Sequence, residues 1–173
     1  MDRSTTTDVA QRLAAQPLSA RAFAPYGDVI EPAEDGALFG PADATLELQL
    51  GTPRLYIMRL HDRVPSFHRI TRHRAVTQCL ASVGGASWLL AVCPPDGVEL
   101  ADAMPDVGRL AAFVIPGNVA VKLHRGTWHA GPYFDGSEHS FFNLELADTN
   151  EVDHHSEEIG DWRIVRDPTV DDG

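Results

Sequence analysis

Eight histidines occur in the sequence, and six fall into three groups: His68 and His73, His124 and His129, and the adjacent His154 and His155. An imidazole titrates close to neutrality, so it can take a proton, give one, or ligate a metal. The first two groups flank strand-like runs, where a barrel aims side chains into its mouth. The third sits in an acidic stretch and reads as solvated surface. From Val119 to His124 apolar and polar residues alternate, which puts Lys122 and His124 on one face of a strand. That face either meets solvent or lines a polar cavity. A turn at Arg125-Gly126-Thr127 lets His129 rejoin the same side. The same parity aligns Asn143 with Glu145. A carboxylate on a barrel strand is costly unless it is paired or used, so Glu145 is either a candidate acid or base or part of a wet face.

Arginines add a second kind of chemistry. Six of the 14 basic residues lie between Arg54 and Arg74, and Arg69, Arg72 and Arg74 crowd around His68 and His73. In a chain of net charge −11, such a concentration suggests capture of a small anion, most naturally a carboxylate gripped by the planar guanidinium fork. A rim of surface ion pairs is the plainer alternative. Positions 148–173 hold nine acidic and two basic residues, so the body of the chain is only mildly acidic. The overall balance argues against nucleic acid as a partner, and no helix-turn-helix signal is present.

These residues need a scaffold. At 173 residues with 43% hydrophobic content, one domain with a sizeable core is expected. No apolar run is long enough for a membrane span, and the start carries no secretory signal pattern. Cys79 and Cys93 lack any metal-binding or redox spacing and read as reduced thiols, which suits a cytoplasmic setting. Residues 1–16 read as a polar lead and a short helix over 8–16, capped by Thr7 or an earlier Thr, and a second helical turn follows Ser19. Strands are predicted over 45–50, 54–60, 76–83, 87–93, 109–115, 119–124, 139–146 and 162–165, separated by turns rich in Gly, Pro, Asn and Asp. This organisation divides the chain into 1–16, a single barrel domain over 17–166, and an acidic tail over 167–173. The fold class is all-β, an antiparallel sandwich or barrel of jelly-roll type.

Three stretches carry a family likeness. Leu18-Ser-x-x-x-Phe23-x-x-Tyr26-Gly27-Asp28-Val29-Ile30, then Arg72-His73 with Gln78, then His124-Arg125-x-x-Trp128-His129 resemble the ureidoglycolate lyase family of the cupin superfamily, in order and spacing from about residue 17 to 150. The resemblance implies a cupin-type barrel, a homodimer, and cleavage of ureidoglycolate to glyoxylate and urea in allantoin catabolism. It also bears on metal binding: Gly126-Thr-Trp-His129 looks like the last element of a cupin ligand set, and His73 with Gln78 like the first. Thr71 stands where another His would be and Gln78 where a carboxylate would be. His73, Gln78 and His129 are therefore the ligands if a divalent, nickel-type metal is bound, and tight binding would need His68, His124 or Glu145 as well.

Ureidoglycolate is a carbinolamide, so its cleavage needs a base at the hydroxyl and an acid at the departing nitrogen. On this reading His124 or His129 is the base, and Glu145 or the remaining His is the proton donor. Lys122 steadies the developing oxyanion. Arg72 and Arg125 hold the carboxylate, with Asn143 and Trp128 completing the substrate site. Two other readings compete: a metal-dependent cupin oxygenase or isomerase acting on another small carboxylate, and a non-catalytic cupin that binds such an anion.

Overall fold

The computed structural model describes residues 9–166. Along the chain run β1 (Gln11–Pro17), α1 (Ala20–Phe23), β2 (Gly27–Ile30), β3 (Pro53–His61), β4 (Ser66–Arg72), β5 (Gln78–Ser82) and β6 (Trp88–Cys93). After a 3-10 turn (Val107–Arg109) come β7 (Ala111–Ile115), β8 (Ala120–Leu123), β9 (Trp128–Tyr133), β10 (Glu138–Leu146), α2 (Thr149–Val152) and β11 (His155–Arg166). Six strands close on themselves in the order β1-β11-β4-β9-β6-β7, and β2-β8-β5-β10-β3 form a second sheet. The closure depends on β1, which pairs in parallel with both β11 and β7. The fold is the all-β barrel anticipated, consistent with a cupin jelly roll.

Central strand β6 shows why the layers hold together. All six of its residues are buried. Trp88, Leu90 and Val92 pack into one cluster with Phe113, Val121 and Phe141, while Leu89, Ala91 and Cys93 pack into another with Ile70, Ala112 and Trp128. Alternation sends neighbours to opposite faces, so a strand that reads as a continuous apolar run is buried on both sides. Trp88 meets Phe141 edge-on with ring centroids 5.1 Å apart, and Phe23 meets Phe113 likewise at 5.2 Å. Such pairs contribute about 0.5–1.5 kcal/mol beyond the area they bury.

The structure departs from the sequence reading at several elements. The segment expected as a helix over 8–16 runs into β1, which takes up 11–16 of it and continues to Pro17; Thr7 and Asp8 lie outside the described residues. Leu, Ala, Gln and Arg favour helix, but pairing with two strands and burial of Ala15 override that preference. The division after residue 16 therefore falls inside a barrel strand. The alternating run 45–50 is not a strand: its backbone is tied outward at single points, the Thr45 carbonyl accepting from Lys122 Nζ, the Glu47 N–H donating to Thr77 Oγ1 and the Glu47 carbonyl accepting from Thr77 N–H. β2, β4 and β9 were not anticipated. At Gly27 in β2 the neighbouring strand comes so close that a Cβ would sit 1.8 Å from the Lys122 carbonyl oxygen, so only glycine fits. The helical turn after Ser19 forms as expected, with Ser19 Oγ accepting from Ala22 N–H at 3.2 Å.

Candidate active site

One cavity of about 320 Å³ opens between the closed ring and the second sheet. Strand parity decides what lines it. From the β4 side come Arg69, Thr71 and His73; from β9, His129; from β5, Gln78; from β10, Asn143 and Glu145; from β3, Tyr56. Asn150 and His154 reach it from the segment around α2. The apolar residues at alternate positions of these strands face the other way, Leu55 and Ile57 to solvent and Ile70 and Trp128 into the core.

His73 and His129 form the centre of the cavity wall, with ring centroids 5.2 Å apart. His73 Nδ1 lies 2.6 Å from the Asp153 carbonyl oxygen, and His129 Nδ1 lies 3.2 Å from that of Thr127. A carbonyl can only accept, so each Nδ1 carries the proton and each Nε2 keeps its lone pair. Burial pushes the His73 pKa below the ordinary imidazole value, partly opposed by its bond to Asp153. Burial, with the neighbouring His73, pushes His129 down to about 3. Both rings are therefore neutral bases at physiological pH. Asp153 does more than orient His73: its carboxylate accepts from the Arg74 and Ala75 N–H groups at 2.7 Å, clamping the turn after β4. Gly126 N–H donates to the His73 carbonyl oxygen at 2.6 Å. Its φ of +81° and the close approach of Val98 leave no room for a Cβ, so glycine is required in the turn that leads to His129.

Below the imidazoles lies a buried polar floor. Glu145 is 1% exposed and its oxygens accept from four side chains. Tyr56 Oη and Asn150 Nδ2 donate to Oε1, and Gln78 Nε2 and Asn143 Nδ2 donate to Oε2, all at 3.2 Å. Gln78 Nε2 also donates to Asn143 Oδ1 at 3.1 Å. Because both its N–H groups are committed to acceptors, the Gln78 amide has one orientation, and its Oε1 is buried without a partner. Burial, and next the Glu145 charge, raise the Tyr56 pKa, which keeps this phenol a donor. At the exposed rim stand Arg63 and Arg69. Arg69 donates to Glu158 Oε1 from Nε at 3.1 Å and from Nη2 at 2.6 Å.

His73, His129, Gln78, Asn143 and Glu145 are thus brought together. The other expected site residues lie elsewhere. Lys122 projects from the outer face of the second sheet, where it pairs with Asp28 at 2.5 Å and donates to the Thr45 carbonyl oxygen. His124, on the same face, bonds through Nε2 to the Ala24 carbonyl oxygen at 3.2 Å. Arg72 is fully buried; it donates to His155 Nδ1 and to the Gly97 and Leu100 carbonyl oxygens and stacks 4.5 Å over Trp128. Adjacent strand residues point to opposite faces, so Arg69 and Thr71 reach the cavity and Arg72 does not. Trp128 is core, and Arg125 is held by the Arg74 carbonyl oxygen and faces Glu47 and Glu99. Of the pair read as solvated surface, His154 is exposed, yet it borders the cavity 5.8 Å from His73 by ring centroids, whereas His155 is half-buried and pairs with Arg72 at the start of β11.

A divalent cation in this pocket would have three donors: His73 Nε2, His129 Nε2 and the partnerless Gln78 Oε1. Among the described residues no group of three or more His, Cys, Asp or Glu is placed to hold a metal ion. Two imidazoles and a neutral amide, with the nearby carboxylate already fully bonded, fit a loosely held, exchangeable cation.

A jelly-roll barrel with two neutral imidazoles above a buried carboxylate at one opening makes this a cupin-type protein with a small-molecule site. Residues 10–160 match the family described as Ureidoglycolate lyase. The ureidoglycolate lyases of Escherichia coli O9:H4 (strain HS), Shigella boydii serotype 18 (strain CDC 3083-94 / BS512) and Shigella flexneri are each 30% identical over 130 residues, covering 68% of this chain and 77% of theirs. The chain belongs to the ureidoglycolate lyase family.

Proposed function

We propose that the protein is a lyase that cleaves ureidoglycolate to glyoxylate and urea, as a step of allantoin catabolism. The observation that carries the reading is the meeting of His73 and His129, both neutral, over the Gln78, Asn143 and Glu145 floor in a chain of this family. The net reaction moves one proton from the carbinol oxygen to the departing nitrogen. As the hydroxyl proton leaves, its electron pair forms the C=O bond of glyoxylate, the C–N bond breaks, and nitrogen takes the bonding pair and the proton. A single imidazole can carry that proton between the two atoms.

His73 is the better carrier, because its bond to Asp153 and the nearby carboxylates of Asp153 and Glu145 oppose the effect of burial. His129, held much lower, stays neutral and offers Nε2 as an acceptor that orients the hydroxyl. Glu145, with four donors on its two oxygens, anchors the floor. Arg63 and Arg69 take the roles first given to Arg72 and Arg125, drawing the substrate carboxylate to the rim. A cation held by His73, His129 and Gln78 would supply Lewis-acid polarisation of a substrate oxygen.

The reading extends to a cytoplasmic homodimer. Both cysteines are free thiols. Leu55, Ile57 and Phe142 form an exposed apolar patch across β3 and β10 suited to a second copy. Among the described residues no helix is long and apolar enough to cross a membrane.

The test is incubation with racemic ureidoglycolate and quantitation of glyoxylate, urea and ammonia. Equal glyoxylate and urea support the lyase; ammonia without urea assigns hydrolysis of the ureido group instead.

A further inference from the structure

We infer that the pocket is polarised along its depth and admits ureidoglycolate in one direction, ureido end to the floor and carboxylate to the rim; this orientation rests on the lyase reading above. The floor sets one unpartnered acceptor beside a carboxylate. Glu145 brings a buried carboxylate, and Gln78 brings an oxygen that is locked in place by Glu145 and Asn143 and has no partner. A buried acceptor left without a donor is unfavourable, and a ligand N–H relieves it. The ureido group is the substrate's N–H-rich end. The carboxylate end would face Glu145 at short range if the molecule were reversed, and like charges in a buried site repel strongly.

The rim has the opposite character. Arg63 and Arg69 line the opening. Among the described residues Arg63 has no carboxylate partner, and Arg69 shares only the exposed Glu158. A substrate carboxylate can therefore join either guanidinium without displacing a buried contact. The same polarity sets which product leaves first: glyoxylate sits at the rim, and urea lies beneath it.

The two products act as separate probes of the two ends. With chelator-treated protein, each is measured as an inhibitor of ureidoglycolate cleavage, urea at non-denaturing concentration. Gln78→Met is expected to raise the inhibition constant of urea about tenfold, the effect of one lost hydrogen bond, and to leave that of glyoxylate within about twofold. Arg63→Gln, at an exposed position where folding is not at stake, is expected to do the reverse. If Arg63→Gln weakens urea and glyoxylate equally, or weakens neither, the orientation is overturned even if Gln78→Met does not fold. Nickel binding that falls in Gln78→Met while urea inhibition is unchanged gives the oxygen to a cation and also overturns it. Wild-type protein that releases no glyoxylate and urea sinks the lyase reading itself, which is a different result from normal turnover with no split between the probes.

Discussion

The imidazoles of His73 and His129 lie with ring centroids 5.2 Å apart, each with its Nδ1 proton donated to a backbone carbonyl. One comes from the turn after β4 and the other from β9. The backbone thus fixes the tautomer of both rings and directs two Nε2 lone pairs into one cavity.

Their burial makes stability depend on pH with a definite sign. Both folded pKa values lie below the ordinary 6.5, and His129 lies near 3. Below 6.5 the unfolded chain binds more protons than the folded chain, so stability falls as pH drops, and the His129 contribution continues down to about 3. Each group in its window contributes a slope of at most about 1.4 kcal/mol per pH unit. Denaturant unfolding of chelator-treated protein between about pH 7 and about pH 4.5 should show His129→Asn losing less stability than wild type. An identical slope for the two would mean that His129 is not buried as a neutral ring.

Arg72 is expected to matter for folding and not for substrate affinity. Arg72→Met removes donors to two carbonyl oxygens and His155, and should lower stability by about 2–4 kcal/mol with KM little changed. Arg69→Ala should behave oppositely, raising KM several-fold with Tm nearly constant, because surface ion pairs contribute little. Kinetics and thermal unfolding on both variants check the pair. A raised KM for Arg72→Met in a stable protein would return the anion site to Arg72.

Two backbone devices near His73 should be sensitive at a distance from the substrate. Gly126→Ala meets a positive φ and a Cβ only 2.5 Å from Val98 Cγ2, so a loss of about 1–3 kcal/mol is expected. Asp153→Ala frees the turn after β4 and should lower kcat with a smaller effect on KM. Thermal unfolding and steady-state kinetics read the two effects. Unchanged values for both variants would show that the turn does not position His73.

Much of the site was legible from strand parity and little of it from sequence proximity. The alternation in β10 put Asn143 and Glu145 on one face, and both reach the cavity. The same rule correctly joined Lys122 and His124 but could not say which face of β8 is inner; the loop carrying Thr45 covers the outer one. Arg72 and His73 were grouped as neighbours, although neighbours in a strand diverge. His154, Asp153 and Asn150 were hidden because an acidic stretch looks like a solvated tail; His154 and Asn150 are indeed exposed, and the pairing of β11 with β4, which starts at His155, brings the stretch to the edge of the cavity. Tyr56 was detectable: it shares parity with Met58 on the inner face of β3. The strand β1 was masked by helix-favouring residues, since its two partners are far away in sequence.

The most direct test compares glyoxylate release from ureidoglycolate by His73→Asn, His129→Asn and His124→Asn, each verified as folded. Losses of about 10²–10⁴ in kcat for His73→Asn, a marked loss for His129→Asn, and near-normal turnover for His124→Asn are the expected results. An active His73→Asn beside an inactive His124→Asn would contradict the account, because it would move the proton chemistry out of the cavity and onto the opposite face of the sheet.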